Sequence, residues 1–95
     1  MKVMIKKVGR DPEVVEINDE LSVYQEIVGG YIEVFPLWNN ILCVCNEEGK
    51  LKGLQPNFKY RNDIICGDVI FISARGEDFT GLNEVQIEML NAIFK

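Results

Sequence analysis

A chain of 95 residues has room for one hydrophobic core, and a hydrophobic share of 47% excludes a disordered segment. A formal net charge of −5 argues against general affinity for nucleic acid, and the lack of histidine removes His-based catalytic pairs. No apolar run approaches the ~20 residues of a membrane helix, and the N-terminal segment has no apolar secretory core. A cytoplasmic location is expected.

Lys2–Val8 reads as a first strand, with Val3 and Ile5 on one face. Gly9–Pro12 turns the chain, and Glu13–Ile17 pairs back as a hairpin. Asn18 or Asp19 is placed to cap a helix of about ten residues, in which Leu21, Tyr24, Ile27 and Val28 recur at helical spacing. Gly29-Gly30 follows. Phosphate-binding glycines sit between a strand and the N-terminus of a helix. Here the order is helix, glycines, strand, so the pair reads as a helix stop.

Tyr31–Leu37 is a third strand, with Ile32 and Val34 on one face and Tyr31, Glu33 and Phe35 on the other. Pro36 marks its end or a sheet edge. Ile41–Cys45 is apolar on both faces, as in a buried strand. Asn46–Lys50 reads as a hairpin turn, with Lys50–Leu54 returning as a short strand. Gln55–Asp63 reads as a loop or one helical turn. Asp68–Ser73 is a strand whose start could lie as early as Ile64, and "ARGED" after it is a surface turn.

Asn83 then opens a last helix, with Gln86 completing a capping box and Leu82 and Ile87 spaced to staple its start. Glu84, Glu88, Asn91 and Lys95 form a narrow polar stripe on it. The remaining arc (Val85, Ile87, Met89, Leu90, Ile93, Phe94) is wide enough either to lie deep in the core or to meet a partner chain, and on the second option a homo-oligomer is expected. Together these elements predict a single α+β domain over 1–95. Its sheet is mainly antiparallel, of five to six short strands, with one helix after the first hairpin and one at the C-terminus.

Cys43 and Cys45 share a strand face at a spacing that disfavours a relaxed disulfide, and with Cys66 they read as small buried hydrophobes. No catalytic set, metal set or cofactor motif stands out. The charge map is more informative. Between Lys50 and Arg61 lie four bases (Lys50, Lys52, Lys59, Arg61) and no acid, while the other residues hold six basic and fifteen acidic side chains, a balance of −9. Phe58 and Tyr60 interleave with the bases, and Asn46 and Asn57 add amide groups. A basic-aromatic island on an acidic protein suits a compact, nucleotide-sized anion.

The strings "GGYIE", "CNEEGKLKGLQPN" and "DIICG" resemble a family of small proteins encoded by bacteriophages, plasmids and Gram-positive bacteria, catalogued as a domain of unknown function. The resemblance covers nearly the whole chain. It implies a compact α+β fold and a mobile-element context, and carries no activity. The segment "NFKYRND" departs from the family pattern.

The reading that joins these features is a non-enzymatic protein that sequesters a nucleotide-type signal, an anti-defence role in a host cytoplasm. Lys50, Lys52, Lys59 and Arg61 would hold phosphates. Tyr31, Phe58 or Tyr60 would stack a base, and Glu33, Asn46 and Asn57 would read its edge. The alternative is an inhibitor or accessory factor that binds a host protein through acidic surface.

Overall fold

The computed structural model describes residues 1–95 and contains eight strands and two helices. In chain order they are β1 (Lys2–Lys6), β2 (Glu13–Glu16), α1 (Leu21–Val28), β3 (Ile32–Pro36), β4 (Ile41–Asn46), β5 (Pro56–Tyr60), β6 (Asp63–Cys66), β7 (Val69–Arg75), β8 (Asp78–Thr80) and α2 (Glu84–Phe94). The main sheet runs β2-β1-β7-β4-β3, with β8 paired to the end of β7, and every pairing is antiparallel. This is the α+β class that the sequence pattern predicts.

The sheet is covered on both faces. On one, α1 lays Tyr24 and Val28 over Val3, Val44, Ile70 and Ile72. On the other, α2 and the β5–β6 hairpin cover Met4, Ile41, Cys43, Cys45, Val69 and Phe71. The central strand β7 is buried on both faces, which is why "VIFIS" is an unbroken apolar run closed by one serine. β3 lies at the sheet edge, where Pro36 leaves no ladder bond unmade.

Local signals placed the helix ends well. Gly29 ends α1 in the left-handed region (φ +81°) and its N–H bonds to the Gln25 carbonyl. The α2 capping box is complete: Asn83 Oδ1 accepts from the Gln86 N–H at 2.8 Å, and Gln86 Oε1 accepts from the Asn83 N–H at 2.9 Å. The start of α1 differs from expectation. Its N-cap is Glu20 with no side-chain bond, because the Asp19 carboxylate instead accepts from the Tyr24 hydroxyl at 2.5 Å.

Two further expectations need correcting. Lys50–Leu54 is not a strand but a run of turns, in which Lys52 N–H bonds to Glu48 O and Leu54 N–H to Gly49 O. The returning strand has no place to pair, since β7 and β3 already occupy both edges of β4. Gln55–Asp63 is not a loop: most of it forms the β5–β6 hairpin. Arg61 makes that tight turn by taking φ +56° at its tip, without a glycine. The "ARGED" turn is real, and Asp78–Thr80 beyond it forms the short strand β8.

Tyr24 supplies a pH test of the α1 face. Its ring packs edge-on to Phe79 at 5.3 Å. Burial first, then the hydrogen bond and negative charge of Asp19, push its phenol well above the ordinary value of 10.0. A group raised in the folded state lends stability below its unfolded value and loses it as pH climbs through the folded one. Stability is therefore expected to fall above pH 10.0. Tyr24→Phe should flatten that alkaline slope and cost about 1 kcal/mol at neutral pH. Urea unfolding at both pH values measures this, and equal slopes in the two proteins would remove Tyr24 as the cause.

Candidate functional site

The fold separates the ten residues that the sequence groups together. Lys50 is ion-paired with Asp63, which also accepts from the Ile64 N–H. Lys52 lies on the other side of the β4 end, against Gly30; a Cβ there would sit 3.0 Å from its Nζ and 2.9 Å from Asn46 Nδ2. Lys59 stands opposite Ile64 on the hairpin. Arg61 is at the hairpin tip, its guanidinium 5.3 Å from the Tyr60 ring centre. Alternation along β5 explains the split: Phe58 and Tyr60 turn inward and Lys59 outward.

Four of the remaining residues serve the scaffold. The Phe58 ring is packed against Phe94 (4.8 Å) and Phe71 (6.0 Å). Tyr60 packs on Phe35 and Trp38, each at 5.6 Å. The buried Asn46 donates to the Val28 carbonyl and accepts from the Glu48 N–H, tying α1 to the turn after β4. Asn57 accepts from Lys6 Nζ at 2.7 Å and donates to the carbonyls of Lys6 and Gly67, at 2.9 and 2.8 Å. These amides are committed to protein partners. Tyr31 is exposed just before β3, and Glu33 lies within that strand, paired with Cys45.

Around Glu33 the chain forms a cleft of about 350 Å³, between the end of β4, the turn at 47–51 and β6. Glu33, Glu47, Glu48 and Asp63 line it, and Lys50 is the one base. The Asp63 hydrogen bond raises the Lys50 ammonium, and Lys50, then the Ile64 N–H, holds the Asp63 carboxyl below its usual range. Cys45 forms part of the wall. The neighbouring Cys45, then burial, pushes the Cys43 thiol up, and Cys43 in turn lowers Cys45. No group of three or more Cys, Asp or Glu side chains is arranged to hold a metal ion.

The family whose model matches the chain, over residues 1–95, is described as a domain of unknown function (DUF3846). The chain belongs to this family. The strings around the Gly29-Gly30 stop, the β4 end and β6 carry the resemblance to such a family. No curated protein and no solved structure matches the chain. DUF3846 thus defines kinship here and leaves chemistry to the geometry.

Sequence reasoning missed a second, uncharged-to-basic cleft of about 580 Å³ in this DUF3846 chain, which includes Asn39, Asn40, Arg75 and Thr80. One signal for it was present. Adjacent asparagines tolerate the left-handed region, and Asn39 (φ +51°) and Asn40 (φ +60°) both adopt it.

Proposed function

We propose that this chain is a non-enzymatic accessory or inhibitory protein that engages a basic surface of a partner protein through the acidic cleft at Glu33. The observation that carries this reading is the cleft's charge: four carboxylates face one ammonium, which Asp63 already neutralises. Phosphates are repelled from such a site, whereas a lysine or arginine from a partner gains by entering it. In a phage or mobile-element setting the partner is a host protein in the cytoplasm.

A specific feature favours the nucleotide-sequestration reading as the second. Trp38 packs edge-on to Tyr60, and Arg61 lies over the Tyr60 ring. Trp38, Tyr60 and Arg61 form a partly exposed platform able to stack a base and hold a phosphate.

One experiment separates the two. Host lysate is passed over wild-type protein and a Glu33→Lys/Glu47→Lys variant, at low and high salt, with cross-links mapped on the retained complex. Wild type at low salt should hold a stoichiometric partner cross-linked beside the cleft, and high salt or charge reversal should release it. A partner held equally by both proteins rules out the cleft. Calorimetric heat from cyclic dinucleotides or ADP-ribose, abolished by Arg61→Glu, moves the function to the hairpin platform.

A further inference from the structure

We propose that the chain carries a separate binding site for a small hydroxylated oxyanion, of the sugar-phosphate or sugar-acid type, in the cleft between the β3–β4 turn, the β7–β8 turn and the start of α2. This cleft shares no lining residue with the acidic one. Its charge is opposite: Arg75 lines it and no carboxylate does.

Arg75 has no ion-pair partner, although Glu77 and Asp78 follow it in sequence. Its guanidinium is therefore open to bidentate contact with an oxyanion. The side-chain amides of Asn39 and Asn40 and the Thr80 hydroxyl are also uncommitted. Each amide offers a donor and an acceptor, which is what neighbouring hydroxyl groups require. The lining holds no aromatic ring, and Ala74 is its one apolar residue, so a nucleobase finds nothing to stack on. The ligand is accordingly hydrophilic throughout.

The floor of the cleft is fixed by two buried side chains. Gln86, 2% exposed, donates through Nε2 to the Asn39 carbonyl and to Ser73 Oγ, both at 2.8 Å. Ser73 Oγ and the Ala74 N–H both donate to the Asn40 carbonyl. With both carbonyls tied inward, the turn backbone that carries the asparagines is fixed, which lowers the entropy lost on binding.

The test is a titration of ¹⁵N-labelled protein, followed by amide chemical shifts, with ribose 5-phosphate and gluconate as probes. Inorganic phosphate and neutral ribose serve as controls. Saturable shifts are expected at residues 39–40, 74–76 and 80–83. Arg75→Gln should weaken the response about tenfold, the loss of one charge-assisted contact. Asn40→Gly keeps the left-handed turn while deleting the amide, and should weaken it without unfolding the protein. The proposal is overturned by the absence of saturation up to about 10 mM, a weak limit for a specific site. It is equally overturned by undiminished shifts in Arg75→Gln, by shifts centred on Lys59 and Arg61, or by inorganic phosphate binding as well as the sugar phosphate.

Discussion

Asn57→Leu is expected to destabilise the fold by about 3 kcal/mol or more. The Asn57 amide joins three parts of the chain: it accepts from Lys6 Nζ and donates to the carbonyls of Lys6 and Gly67. Lys6 is only 7% exposed, and Asn57 is the acceptor its ammonium has in the protein. Leucine leaves that charge without an acceptor and removes one donor from each of two carbonyls. One charge-assisted bond and two neutral ones account for the estimate of about 3 kcal/mol, a large part of the roughly 5–15 kcal/mol that holds such a domain together. Asn57→Asp does not rescue the site, because a second carboxylate oxygen then faces both carbonyls. Lys6→Met added to Asn57→Leu removes the unpaired charge and should recover part of the loss. Urea midpoints with unchanged slopes measure each step. Additive effects of the two substitutions, or a single variant within about 0.5 kcal/mol of wild type, would contradict this account.

The same clamp bears on the proposed function. The hairpin that Asn57 anchors carries Asp63, which lines the Glu33 cleft and pairs with Lys50 there. A loosened hairpin frees Lys50 from its partner and changes the cleft's charge pattern. Partner binding is therefore expected to weaken in Asn57→Leu even where the protein remains folded, although Asn57 lies outside the cleft.

What could be read from the sequence follows from the range of the interactions involved. The Gly29 stop, the Asn83–Gln86 box and the buried run of β7 are set within a few residues, and all were legible. The supposed strand at Lys50–Leu54 failed because its pairing edge was taken by β3 and β7, whose order along the sheet is non-local. The β5–β6 hairpin was hidden because its turn uses Arg61 at positive φ where glycine is the usual signal. The basic island misled for a related reason. Neighbours in sequence are not neighbours in space here, because alternation along β5 and the turn after β4 send Lys50, Lys52, Lys59 and Arg61 to different surroundings. Asn57 could not be recognised as a clamp, since its partner Lys6 lies 51 positions away.

Gln86 offers the second large effect, with a pH signature of its own. Gln86→Leu removes two donated bonds, to Asn39 and Ser73, and one half of the α2 capping box. The expected loss is about 2–3 kcal/mol, independent of pH. Gln86→Glu keeps the oxygen that accepts from the Asn83 N–H but turns a second oxygen toward the Asn39 carbonyl. Burial beside that carbonyl raises the new carboxyl above its unfolded value of about 4.3. Such a group is least harmful when protonated, because the acid form can donate to Asn39 O. Its deficit relative to wild type should therefore be large at pH 7 and shrink as pH falls toward about 4, the reverse of an ordinary salt-bridged carboxylate. Urea unfolding of both variants across this range decides the matter, and an equal deficit for Gln86→Glu at both ends would show that its amide does not face the Asn39 carbonyl. Gln86→Leu also releases the Asn39 side of the turn from its floor. If the asparagine amides bind a sugar oxyanion as proposed, Gln86→Leu should lose that response while Arg75 remains in place, because the guanidinium alone cannot hold the hydroxyl groups.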